Sequence, residues 1–164
     1  MSRKRTLLAV VVAMTLAGCT PEPAPAPTPT AHTVSDYTKI INTTKPKFEE
    51  AADDDLCLVD IIMKPGSDEA SDCITLATDT VNSMTRVKTR FEELGVDEAP
   101  TEIATLVTNT HHMATVFLDS EDFNVRGACE DPASDECATA AGGVIMAAKD
   151  TILPQVEEWE PHLR

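Results

Sequence analysis

The sequence predicts an all-α domain, an antiparallel four-helix bundle kinked near Pro46 and closed by two local disulfides. Apolar residues recur at spacings of three and four in four separate segments. Helix start and stop residues bracket those segments. Four of the five cysteines flank two short turns.

The first apolar stripe is Val34, Tyr37, Ile41, Thr44, Phe48 and Ala51. Pro46 lies within it. Proline has no amide donor and its ring strikes the carbonyl four residues back, so this helix should bend or split there. Asp53-Asp54-Asp55 reads as the solvated end of the helix, since a calcium loop needs alternating oxygen ligands and a glycine. Leu56 to Met63 is apolar enough for a strand or a short buried helix, and periodicity does not separate the two. A helix is expected, because one isolated strand would have no sheet partner.

The second stripe is Cys73, Ala77, Thr80, Met84, Val87, Phe91 and Leu94, with Ser67-Asp68-Glu69 at its start and Gly95 at its end. The third is Ile103, Val107, Thr110, Ala114 and Phe117, widened by Leu106, Met113 and Leu118. Pro100 suits its first turn, with Glu102 beside it. The fourth is Ala138, Ala141, Ile145, Ala148, Ile152 and Trp159, where Ser134, Asp135 and Glu136 place anions at a positive helix end. Pro154 should bend or end it. Gly142-Gly143 inside this helix costs ~2 kcal/mol in propensity relative to alanine, and the expected return is close approach of a neighbouring helix. Four such segments close most economically as an antiparallel bundle spanning residues 33–164.

Ahead of this domain the chain reads as an address. Arg3, Lys4 and Arg5 form a positive region, Leu7 to Met14 a short apolar one, and small residues follow, the pattern of a signal peptide over residues 1–18. The apolar stretch is far shorter than the ~20 residues that span a bilayer. Leu16-Ala17-Gly18-Cys19 resembles the lipobox of bacterial lipoproteins, and the resemblance covers the leader only. It implies cleavage before Cys19, lipidation (diacylglycerol and palmitate-type acyl chains) on that cysteine, and attachment to the extracytoplasmic face of a cell membrane. A plain signal peptide with a chance cysteine is the alternative. Lys4 interrupts the arginine pair of a twin-arginine signal, so general secretion is the expected route.

Two or more acyl chains anchor stably, where a single chain binds only marginally. The membrane is therefore a partner through the lipid alone. Residues 19–32 carry proline at every second position from 21 to 29. That linker should be extended polyproline II, reaching roughly 30–40 Å at ~3.1 Å per residue.

The formal charge of the 164 residues is −15, and loss of Arg3, Lys4 and Arg5 makes the mature chain more acidic still. Such a surface repels nucleic acid and anionic headgroups. With Cys19 lipidated, Cys57, Cys73, Cys129 and Cys137 remain, an even number in an exported chain. Each of the pairs Cys57–Cys73 and Cys129–Cys137 is centred on a turn, so these are the expected disulfides. A Zn²⁺ site is the rival reading, but CxxC spacing is absent.

His111 and His112 are weak metal candidates. Helical neighbours point about 100° apart and do not chelate one ion from one face, and the Glu-x-x-His pair of di-iron bundles is missing. No catalytic, nucleotide or cofactor motif is present, so neither an enzyme nor a bound cofactor is expected. The expectation is a tethered acidic interaction module for another envelope protein. The alternative is a carrier of a small ligand or metal in an inter-helix pocket.

Overall fold

The computed structural model describes residues 31–163, which form helices and connecting turns with no strand among them. The leader, its lipobox with Cys19, and the proline-rich stretch up to residue 30 lie outside the described residues.

Helix α1 spans Val34–Asp53. Thr33 starts it, donating from its backbone N–H (2.7 Å) and its hydroxyl (2.9 Å) to the Asp36 carboxylate. Those two bonds hold the Asp36 carboxyl below the usual carboxylate range. Of the two outcomes expected at Pro46, a bend or a split, the split does not occur, and α1 runs through the proline as one helix. The proline sits on the solvent side, while Tyr37, Ile41 and Thr44 before it and Phe48 and Ala51 after it are buried. Packing on both sides of the proline outweighs the local cost of about 3 kcal/mol.

Asp53-Asp54-Asp55 is not simply a solvated end. Asp54 stands between two helices, and its carboxylate accepts from the backbone N–H groups of Leu56 (3.2 Å) and Cys57 (3.1 Å). It thereby starts α2, Asp55–Met63. The apolar run is thus the expected short helix. The turn that follows needs Gly66, whose φ of 78° lies where side-chain-bearing residues are strained.

Helix α3, Asp68–Leu94, begins on the Ser67 hydroxyl, which accepts from Ala70 N–H at 3.1 Å. It ends at Gly95 with φ 83°. Helix α4 spans Ala104–Asp119. Pro100 opens the turn before α4 rather than its first helical turn, since Ile103 N–H closes back on the Pro100 carbonyl at 2.9 Å. A short helix α5, Val125–Ala128, leads to α6, Asp135–Ala147, capped by Ser134 through Cys137 N–H at 3.1 Å.

The fourth stripe does not stop at Pro154. A five-residue π turn, Ala148–Ile152, carries α6 directly into α7, Leu153–Glu157. Pro154 has no N–H for the Asp150 carbonyl and would crowd it in a regular α-turn. Widening the preceding turn, with Leu153 N–H donating to Ala148 O, keeps the helix going past the proline.

Helix α3 is the centre of the packing, touching α1, α2, α4 and α6, while α1 also packs on the π turn and α7. The four stripes meet as their spacing requires. Tyr37, Phe91 and Trp159 are fully buried and pack in sequence, the first pair edge-on and the second tilted, with ring centroids 5.6 and 5.8 Å apart. Their polar ends are satisfied. The Tyr37 hydroxyl donates to the carbonyls of Leu94 (3.1 Å) and Gly95 (2.8 Å), and Trp159 Nε1–H donates to the buried Thr110 hydroxyl at 3.0 Å. One cluster thereby joins α1, α3, α4 and the C-terminal turn.

Candidate functional site

Both disulfides form where the turns place them. Cys57–Cys73 ties α2 to α3 with the Cα atoms 5.3 Å apart, and Cys129–Cys137 ties the end of α5 to the first turn of α6 at 4.4 Å. A Cβ at Gly66 would lie 3.4 Å from Cβ of Ala133, so the two bridged turns abut. Among the described residues, one group brings three metal-ligating side chains together: Asp54, Cys57 and Cys73. Its sulfurs are spent on the bridge and its carboxylate on capping α2.

The two histidines diverge. His111 Nε2 lies 3.2 Å from Glu92 Oε1 on α3, and Lys88 Nζ holds the same oxygen at 2.6 Å. Lys88 first, then His111, keeps the Glu92 carboxyl below its ordinary range. An ion held by His111 and Glu92 together would compete with that lysine for the same carboxylate oxygen. His112 is exposed and faces a different groove of about 280 Å³, shared with Met113, Val116, Phe123, Thr151 and Ile152. The structure does not bring the pair to one point.

A feature that periodicity did not reveal lies on α2. Cys57 and Ile61 are buried, yet Leu56, Val59, Ile62 and Met63 are 70%, 51%, 66% and 72% exposed. The helix is apolar on both sides, which is why its sequence showed no stripe. A helix apolar all round is ordinarily covered all round. Here the outer face has no cover within the described chain.

Beside it, Leu58 and Ile62 of α2 wall a groove of about 540 Å³ floored by Ala138, Gly142 and Gly143 of α6, with exposed Met146 at its end. Asp135 and Thr139 line this groove and also a second recess of about 450 Å³, which contains Glu121, Asp122 and Glu136. Among the described residues no Lys, Arg or His lines either one. The first turn of α6 therefore separates an apolar groove from a carboxylate-lined recess.

The glycine pair approaches a neighbour less tightly than the sequence suggested. A Cβ at Gly142 would meet Leu58 Cδ2 at 3.6 Å, ordinary contact, and one at Gly143 would meet the Phe123 ring at 3.4 Å. Gly142→Ala should then stabilise the domain by about 1 kcal/mol through helix propensity. The melting temperature should rise by roughly 3–5 °C, as followed by circular dichroism. A fall would mean that Leu58 cannot yield and that close packing fixes the glycine after all.

No helix among the described residues is long and apolar enough to cross a membrane. Comparison of the chain with protein-family models, curated proteins and solved structures finds no match in any of the three.

Proposed function

We propose that the chain is a lipid-anchored envelope protein whose helical domain, held off the membrane on a proline-rich stalk, binds another envelope protein. In this reading the long helices α1, α3, α4 and the continuous α6–α7 unit act as an antiparallel four-helix bundle. The address rests on the lipobox Leu16-Ala17-Gly18-Cys19 behind a basic and apolar leader. The interaction role rests on one observation above the others: α2 holds four large apolar side chains out to solvent on an otherwise acidic surface.

The anchor is tested directly. In the native host, Cys19→Ser should abolish acyl mass on the N-terminal peptide and either leave the leader uncut or release the protein from the membrane pellet. An unmodified Cys19 in the wild-type mature protein, read by mass spectrometry, would overturn the assignment.

A carrier role is the second reading, favoured by the apolar groove of about 280 Å³ facing His112, to which Thr151 and Ile152 contribute. Small apolar ligands that quench Trp159 fluorescence in wild type but not in Ile152→Ala protein would support it.

A further inference from the structure

We infer that the α2–α6 groove together with the acidic recess beside it is a docking site for a cationic amphipathic helix of a partner protein. The inference rests on the interaction-module reading and names its surface and the chemistry of its occupant.

The groove is shaped for a helix. Ala138 and Gly142 stand one turn apart on α6 and Met146 a further turn on, so the floor runs about 12 Å. That length receives side chains at i, i+4 and i+7 of an occupant. The floor is bare at a cost: two glycines lower the propensity of α6, yet a Cβ at Gly142 would meet only ordinary contact within the chain. The missing methyl group at Gly142, beside Leu58, leaves room in the groove for another backbone to come close. Ile62 and Met146 supply exposed apolar walls.

Charge selects the occupant. Asp135 lies at the boundary, and Glu121, Asp122 and Glu136 continue from it. An apolar anchor seated in the groove places its flanking residues over those carboxylates, where Lys or Arg are favoured and Asp or Glu repelled. A second copy fits poorly, because a two-fold contact sets the patch against itself and Asp135 near its own equivalent. An anionic bilayer is repelled by the same groups.

The test uses the full chain in zwitterionic nanodiscs, with empty discs as the blank. The probe is a designed amphipathic helix of Leu and Lys about 14 residues long, four turns. Its counterpart has Glu for Lys. Hydrogen exchange should show the Leu/Lys helix protecting amides of α2 and the first half of α6, with affinity falling as salt rises. The Leu/Glu helix should bind about tenfold more weakly or worse. Val59→Ser with Ile62→Ser, both at exposed positions, should cost about tenfold. Asp135→Asn with Glu136→Gln should flatten the salt dependence. Val116→Ser, exposed on the other groove, should change nothing.

Equal binding of the Leu/Glu helix overturns the inference, as does Leu/Lys binding spread over the surface and indifferent to Val59 and Ile62. Self-association abolished by Val59→Ser with Ile62→Ser would identify a second copy instead. Protection of α2 by anionic vesicles would identify a lipid surface. Photo-crosslinking in the host membrane separates this site from the broader reading. An adduct formed from position 116 and none from position 62 overturns the groove but leaves the module intact, whereas no adduct from any exposed position overturns both.

Discussion

Trp159→Ala should cost about 3–5 kcal/mol of folding stability, the range for deleting a fully buried large aromatic. Trp159 is fully buried although it lies five residues before the end of the chain. Its ring meets Phe91, and its N–H donates to Thr110, itself fully buried. The substitution opens a cavity among α1, α3 and α4 and leaves the Thr110 hydroxyl without its donor. Trp159→Phe separates the two effects, keeping a ring in place while losing the N–H, and should cost roughly 1–2 kcal/mol. Urea unfolding followed by far-ultraviolet circular dichroism measures both, since the alanine variant removes the sole tryptophan. If Trp159→Ala costs under about 1 kcal/mol, the last turn does not belong to the core and the Tyr37–Phe91–Trp159 cluster does not join the helices.

The parts of the fold that were legible in the sequence share one cause. In α1, α3, α4 and the α6–α7 unit, one side of each helix stays polar and solvated, so a period near 3.6 survives in the sequence and each predicted inward position from Tyr37 to Trp159 is buried or partly buried. Ser67, Ser134 and Gly95 mark ends because capping and left-handed termination are local chemistry. The disulfide pairs were legible because two cysteines around a tight turn need little more than that turn to meet.

What was missed depends on tertiary context. Pro46 and Pro154 read as bends or breaks because proline removes a hydrogen bond wherever it falls, but only packing reveals that one sits outward in an unbroken helix and the other is absorbed by a π turn. Asp54 was hidden in an acidic run; its role depends on the chain starting a new helix at the very next residue. The candidate groove was the least legible feature of all. An apolar run such as Leu56 to Met63 normally signals burial, and sequence does not say that only Cys57 and Ile61 find cover while Leu56, Val59, Ile62 and Met63 do not.

Replacing Cys57 and Cys73 together by serine should lower the stability by about 3 kcal/mol in the chain-entropy view, given the 16-residue separation they span. The loss should be felt first in one place. Helix α2 packs chiefly on α3 and α6, and its outer face is mostly uncovered within the described chain. Without the bridge, α2 is held mainly by Leu58, Ile61 and the Asp54 cap. Its amides should therefore exchange about a hundredfold faster, while those of α1, α3 and α4 keep their protection. Serine at Cys129 and Cys137, separated by only 8 residues, should cost about 2–3 kcal/mol and loosen the start of α6 instead. The difference matters for binding, because α2 forms one wall of the groove and α6 its floor. A bridge that fixes α2 against α3 holds Ile62 in place before a partner arrives, which lowers the ordering cost of association. The Cys57–Cys73 variant should thus bind the Leu/Lys helix more weakly even when refolded to full helicity. If exchange instead accelerates equally through every helix, α2 is integral to the bundle, and its bare outer face is a by-product of packing rather than a surface kept for a partner.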